Sequence, residues 1–298
     1  MKKILFIYNK PENKPIPQKQ QHHFGWVKDC RKQYNIKYWG NGFSDIGLAS
    51  LNREIDSFRP DFIYMTMRKR YKIDRDRYWL PDLTNITVPK IFVECDSYKW
   101  NRTDDWYNQF DEVYCRQAWW KPVFYSRNKI IHPKFVICAK TWNKVPVFKW
   151  SVPEIAFSKK NKKRNGIYFM GSVTRRGYTD RKMMWLKIKN RVKFCKIFGS
   201  GYWKLLHTSS ALICPTESNY GSFVPSKLFE FLASGAAVLT NCDLDLYGTP
   251  EFKPFIINYT NINSLEEKIK TKFEKYHNKA INVMRNHTHK VRYKELFG

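Results

Sequence analysis

The stretch Val224-Pro225-Ser226-Lys227-Leu228-Phe229-Glu230-Phe231-Leu232-Ala233-Ser234-Gly235-Ala236-Ala237-Val238-Leu239 carries more information than any other part of this 298-residue sequence. Its proline sets an extended entry, and Ser226 to Ser234 then reads as a helix. Gly235 stands where a helix closes, because a left-handed turn there needs no Cβ. Ala236 to Thr240 continues as a buried strand.

Working outward, short apolar runs alternate with helical stretches. Lys3 to Tyr8, Pro60 to Met65, Val88 to Val93, Asp111 to Cys115 and Lys134 to Cys138 read as strands. His22 to Gln33 and Gly47 to Phe58 read as helices, the second with Leu48, Leu51, Ile55 and Phe58 at helical spacing. A polar, basic run, Ser158 to Asn165, is a linker candidate. After it, Gly166 to Gly171, Val192 to Phe198, Ala211 to Cys214, Ala236 to Thr240 and Phe255 to Tyr259 read as strands, and Asp180 to Asn190 as a helix. The remainder reads as basic helix. Two successive β/α series imply two α/β domains, 1–150 and 151–298, each doubly wound and Rossmann-like, with a cleft between them. No sequence repeat relates them.

The Ser226–Gly235 block resembles the donor-site helix of retaining GT-B glycosyltransferases, where a Ser-Lys-Leu-Phe-Glu-Tyr-like run leads to Ala-x-Gly and an apolar strand. The resemblance implies a nucleotide-sugar donor, a UDP-sugar first, held by the second domain. A helix N-terminus presents backbone N–H groups and partial positive charge to a pyrophosphate. Ser226 stands at that terminus, Lys227 adds a full charge, and Glu230 can accept from two ribose hydroxyls. An amphipathic helix with a glycine cap is the plainer reading of the same residues.

The order of elements is similar to the spore-maturation-protein (CgeB-like) branch. The matching pieces are Pro60-Asp61-Phe62-Ile63, Val88 to Asp96, Phe110 to Val113, Ser151 to Glu154 and Tyr168 to Val173. By that resemblance Gly171, Ser172, Arg175 and Arg176 form a turn that holds the donor diphosphate, and Tyr220 and Gly221 line the donor site. Either arginine can grip phosphate bidentately, or the loop is a solvated basic one. Many retaining relatives carry a second glutamate eight positions before the ribose glutamate. Here that position is Ser222, with Glu217 nearby. Retention or inversion stays open.

Asp96 follows the Ile91–Cys95 run. Carboxyl ends of strands face the crevice in open α/β sheets, which makes Asp96 the candidate for contacting or deprotonating an acceptor hydroxyl; a turn or capping aspartate is the alternative. His22 and His23 stand at the start of the first helix and read by default as surface histidines. Asp74-Arg75-Asp76 and Asp243-Leu244-Asp245 match a short metal pattern that arises readily by chance, and no required metal or other cofactor is expected.

Lys and Arg number 54 against 26 Asp and Glu, a formal net charge of +28. A/T-rich codons explain abundant lysine but not scarce acid. Charge of this size points to a polyanion: nucleic acid, or an anionic membrane or wall polymer. Arg68, Lys69, Arg70, Lys72, Arg75 and Arg77 are interleaved with Tyr71, Tyr78 and Trp79, and Trp119 and Lys121 form a second cluster. Cations that track phosphates among rings that stack on bases suit a nucleic-acid surface. Combined with the resemblance, this makes hydroxymethylated pyrimidines in DNA the first acceptor, as in bacteriophage DNA modification. Anionic glycan, lipid or protein acceptors stay open, as does a non-catalytic nucleic-acid-binding protein on the same scaffold. Seven scattered cysteines without metal spacing read as reduced thiols of a cytoplasmic protein. No apolar run approaches the ~20 residues of a membrane span.

Overall fold

The computed structural model describes residues 1–8, 25–66, 71–72, 78–79, 82–94, 104–116, 146–157, 163–171, 173, 179–195, 200–216 and 224–298. They form two compact units. One comprises the described residues of 1–116, 146–149 and 292–298, and the other those of 150–291.

The first unit is built on five parallel strands: β1 Lys2–Ile7, β2 Tyr34–Trp39, β3 Phe62–Thr66, β4 Lys90–Glu94 and β5 Glu112–Cys115. Their order is β2-β1-β3-β4-β5. Ile4 to Ile7 are completely buried, as expected of a central parallel strand covered on both faces. Residue 4 pairs with Ile36 on one side and Phe62 on the other. β2 was not expected. Its Asn35 and Lys37 break the apolar run because it lies at the sheet edge, where its burial alternates. Helix α1, Leu48–Phe58, ends at Arg59 with φ 50, a left-handed cap, and of its four spaced apolar residues only Leu51 is fully buried.

The second unit repeats the plan with β6 Asn165–Phe169, β7 Lys193–Phe194, β8 Ser209–Cys214, β9 Ala237–Thr240 and β10 Ile256–Asn258. The order is β10-β9-β8-β6-β7. Counted in chain order, both sheets read 2-1-3-4-5, the flavodoxin-like arrangement. The expected fold class, α/β with two doubly wound Rossmann-like units, is therefore present. Between the strands run α2 Thr179–Ile188, α3 Ser200–Thr208, α4 Ser226–Ala233 and, after β10, α5 Ile262–Lys268. The expected strand at Lys134 to Cys138 lies outside the described residues.

Two boundaries differ from the sequence reading. The C-terminal helix, His289–Phe297, was expected to belong wholly to the second domain, but residues 292–298 belong to the first unit. The cause is aromatic: Tyr293, Leu296 and Phe297 enter the first core. Tyr293 stacks on Trp26 at 4.2 Å and 9°, and the Lys2 ammonium donates to the Phe297 carbonyl at 2.6 Å. The candidate linker also ends sooner than expected, because Asn165 already lies in β6. Arg164 is an anchor: its guanidinium donates to the Ser209 and Ser234 carbonyls at 3.2 and 2.8 Å.

That anchor closes α4. Gly235 has φ +73, and an added Cβ would stand 2.3 Å from Asn278 Oδ1 and 2.9 Å from Arg164 Nη2. Neither the backbone nor the neighbours leave room for a side chain. Gly235→Ala is expected to destabilise the protein by about 2 kcal/mol or more, combining left-handed strain with displacement of Arg164. Urea unfolding checks this, and an unchanged midpoint would contradict it.

Candidate functional site

In a 2-1-3-4-5 sheet the crevice opens where strand order reverses, at the carboxyl ends of the first and third strands. In the second unit these are β6 and β8. Gly171 follows β6 by two residues and Pro215 follows β8 directly. A Cβ at Gly171 would lie 3.5 Å from Pro215 Cγ and 3.9 Å from Arg181 Cδ. These are ordinary contacts, and φ at Gly171 lies outside the positive range. Among the described residues, no contact requires glycine here.

The next turn is tied across strands. Asn241, just past β9, accepts from the Thr216 backbone N–H and hydroxyl at 2.8 and 2.9 Å, and donates back to the Thr216 carbonyl at 3.1 Å. Thr240 Oγ1 donates to the Cys214 carbonyl at 2.9 Å. These bonds hold the carboxyl ends of β8 and β9 in one arrangement.

From this edge the chain enters α4. Pro225 precedes it in extended conformation and supplies no side-chain cap. Ser226 and Leu228 to Ala233 are buried, and only Lys227 keeps partial exposure. Glu230, one turn in, is 2% exposed. Burial raises its pKa to about 7, against the opposing pull of Tyr202 and of the Lys227 charge. The Tyr202 hydroxyl, from α3, donates to Glu230 Oε2 at 2.5 Å. Burial, then the Glu230 carboxylate, push the Tyr202 phenol well above its ordinary value, so it stays a donor. Cys214, at the end of β8, is raised by its hydrogen bond with Cys242 and by burial, while the charges of Lys227 and Arg181 pull the other way. Two cations and one buried carboxylate thus gather at the carboxyl edge of β8.

The structure therefore brings Ser226, Lys227 and Glu230 together on α4 and places Gly171 at the switch point. Ser172, Arg175, Arg176, Tyr220, Gly221 and Asp96 lie outside the described residues, as do His22, His23, Arg68, Lys69, Arg70, Arg75, Arg77, Trp119 and Lys121. Lys72 lies in a two-strand hairpin, Tyr71–Lys72 with Tyr78–Trp79. Among the described residues no cluster of three or more His, Cys, Asp or Glu is placed to hold a metal ion, and Asp245 pairs with Lys253 at 2.5 Å.

Two site residues escaped the sequence reading. Tyr202 sits on α3, a helix whose Tyr202, Trp203 and Leu206 have helical spacing, a signal available in the sequence but not read. Arg181 stands in the first turn of α2, 9% exposed. A cation there opposes the helix dipole, and that opposition is the mark by which it could have been found.

No protein-family model matches the chain, and no curated protein matches it by sequence. Solved structures do match it in shape. AviGT4, a glycosyltransferase involved in avilamycin A biosynthesis, superposes with TM-score 0.55 at 11% identity, covering 100% of this chain and 97% of that one. HepE from Anabaena, in complex with UDP and glucose, gives 0.55 at 11% identity over 99% and 98%. The UDP-GlcNAc 2-epimerase from Neisseria meningitidis, bound to UDP-GlcNAc, gives 0.50 at 11% over 99% and 98%. At these identities the likeness establishes the fold.

Glu230 links the site to stability. Its carboxyl titrates near 4.5 in the unfolded chain and near 7 when folded, so the folded state holds the proton more tightly. The associated stability is fully present below 4.5 and lost as pH rises through 7. Glu230→Gln removes this loss while keeping an acceptor for Tyr202. At pH 8 the variant is expected to be more stable than wild type by on the order of 3 kcal/mol, a margin that shrinks as pH falls toward 4.5. Urea titrations at pH 8 and pH 5 read the difference.

Proposed function

We propose that this chain is a glycosyltransferase that takes a sugar from a nucleoside diphosphate sugar, UDP-linked first, bound at the carboxyl edge of the second sheet. The observation that carries the reading is the α4 terminus. Lys227 is its one partly exposed side chain, and Glu230 is buried one turn behind, on the helix that follows β8 in a 2-1-3-4-5 sheet. The helix N-terminus and Lys227 suit a diphosphate, and the carboxylate suits a ribose. The resemblance of the Ser226–Gly235 block to retaining GT-B donor helices supports the same assignment. HepE, which shares the fold, was crystallised with UDP and glucose. The Gly171 turn, together with Ser172, Arg175 and Arg176, completes the phosphate side in this proposal, Tyr220 and Gly221 border the sugar, and Asp96 takes the acceptor proton. No metal or other cofactor enters it.

The acceptor is read from charge. A +28 protein attracts polyanions, and DNA bearing hydroxymethylpyrimidines is the acceptor we propose, in a cytoplasmic, bacteriophage-type setting related to the spore-maturation branch. Arg68, Lys69, Arg70, Lys72, Arg75, Arg77, Trp119 and Lys121 form its proposed binding surface. Anionic glycan, lipid or protein is the alternative. The structurally similar UDP-GlcNAc 2-epimerase, bound to UDP-GlcNAc, is the basis for a second reading, epimerisation of a UDP-sugar.

UDP at ~100 times its dissociation constant is expected to stabilise the protein by about 2.7 kcal/mol. Lys227→Ala should weaken UDP binding about tenfold, as loss of a charge-assisted phosphate contact does. Gly171→Ala should leave the stability of the free protein within ~1 kcal/mol of wild type yet reduce UDP affinity, because in this proposal the diphosphate occupies that space. Calorimetric titration of the three proteins is the check, and a site that binds all alike is misplaced.

Sugar transfer is tested with radiolabelled UDP-sugars against hydroxymethylpyrimidine DNA, unmodified DNA, anionic glycan and vesicles. Transfer to the modified DNA alone is expected, with the logarithm of affinity falling by ~0.9 for each phosphate contact as the logarithm of salt concentration rises. Joint replacement of Lys69, Arg70 and Lys72 should lower DNA affinity and spare UDP binding. Transfer to glycan or lipid alone would move the acceptor assignment, and UDP-sugar epimerised without acceptor would replace the reaction.

A further inference from the structure

We propose that Tyr202 is a positioning residue of the donor site, its hydroxyl holding the Glu230 carboxylate as the acceptor for the ribose hydroxyls of the nucleotide. The inference deepens the donor-site reading above and rests on it. It assigns a role to a helix, α3, that neither the motif block nor the fold assigns.

The geometry is specific. Glu230 projects from α4 and Tyr202 from α3, 28 positions earlier in the chain, and the hydroxyl donates to Oε2 at 2.5 Å with both residues 2% exposed. A buried carboxylate is costly unless it is hydrogen-bonded and compensated. Among the described residues the compensating groups come from two directions, Tyr202 from α3 and Lys227 from α4 itself. Strand β9, packed against α4, is Ala-Val-Leu-Thr and contributes no charge. Strand β8 brings Cys214, which with Cys195 lies beside Tyr202. The Glu154–Ala156 turn also packs on α4, but Glu154 is paired with Arg285 at 2.9 Å. The nearby helix Ile281–Met284 carries no ionisable side chain.

A core role alone does not require the hydroxyl. The Tyr202 ring packs edge-on against Trp203 at 5.1 Å, and phenylalanine would keep that contact. Only the carboxylate uses the phenolic proton. Lacking it, Glu230 would ionise at higher pH and lose its bond to α3. A protonated carboxyl accepts ribose hydroxyls poorly because one of its oxygens has become a donor. Tyr202 thus supports the ionised, oriented state that a ribose needs, and it has no bearing on a nucleotide whose sugar lacks hydroxyls.

The test compares wild type and Tyr202→Phe by calorimetric titration with UDP and with 2′,3′-dideoxy-UDP at pH 6.5, 7.5 and 9. Wild type is expected to bind UDP more weakly at pH 6.5 than at pH 9. Tyr202→Phe is expected to lose about threefold to tenfold in UDP affinity at pH 7.5, because Glu230 then holds its proton more tightly and loses its bond to α3. Most of the loss should be regained at pH 9. Its affinity for the dideoxy analogue should stay within about twofold of wild type. Equal losses for both nucleotides, or no loss at any pH, would overturn the inference while leaving the donor site in place. Wild type that binds neither nucleotide overturns the donor-site reading and this inference with it. A second measurement is independent of whether Tyr202→Phe folds. With ζ-13C-tyrosine, one tyrosine resonance should titrate near pH 7 in wild type and not in Glu230→Gln; its absence from wild type counts against the inference as fully as a flat binding profile.

Discussion

Strand β8 is the constraint on which the second unit depends. It is paired on both sides, with β6 and β9, and Ala211 to Cys214 are all but inaccessible. A parallel strand covered on both faces admits no polar side chain along its length without large cost. The polar groups of the unit's interior are accordingly driven to the strand ends. At the amino end, Ser209 and Arg164 bond backbone carbonyls. At the carboxyl end, Thr216, Asn241, Thr240, Lys227, Glu230 and Tyr202 gather around Cys214. Since every parallel strand ends on the same edge, the groups able to do chemistry share one locality.

Within that locality Glu230 is the costly member. Its carboxyl is buried deeply enough that ionisation is delayed to about pH 7, and above that pH the free protein would be more stable with a neutral group in its place. A buried carboxyl with a raised pKa beside a cation is the kind of group that marks a candidate site. The Tyr202 hydroxyl and the Lys227 charge reduce the cost without removing it. A bound ribose would bring further donors to the same carboxylate. In the proposed donor site, the carboxylate that costs the free protein stability is the one a ribose would stabilise.

Much of this was legible in the sequence because it is local. Ser226, Lys227, Glu230 and Gly235 lie within ten residues, and their order states helix, charge, carboxylate and stop. Strands β1, β3, β4, β8 and β9 are continuous apolar runs, which is how doubly covered strands look. The features that escaped are those whose meaning is completed elsewhere in the chain. Edge strand β2 carries Asn35 and Lys37 because one flank is open. Tyr202 acquires its partner only when α3 and α4 pack, and Tyr293 and Phe297 act as first-unit core residues only because Trp26 and Phe6 wait for them. Arg164 reads as part of a basic linker and serves instead as the clamp over Gly235. Segment composition cannot anticipate a partner 28 or 70 positions away, still less one at the opposite end of the chain. The two sheets make the same point at larger scale, sharing the order 2-1-3-4-5 with no repeat in sequence, because right-handed crossovers and burial rules admit few alternatives.

The charge of the chain belongs to a different level. The described acidic residues include several committed to basic neighbours: Glu54 to Lys37, Glu154 to Arg285, Asp245 to Lys253, Glu266 to Lys187 and Glu295 to Arg292. Exposed pairs of this kind contribute little to stability, yet they consume the few carboxylates available. The remaining lysines and arginines make a field that no internal group neutralises, and self-repulsion of that size works against a compact chain. A polyanion relieves it and gains a counterion-release term at the same time. Such a field governs encounter, extending about a Debye length from the surface, and it carries no information about which bond is made. In the function proposed above that information resides within hydrogen-bonding distance of Glu230, so acceptor capture and donor recognition would be separable, one set by net charge and salt, the other by a buried carboxylate and the tyrosine that bonds it.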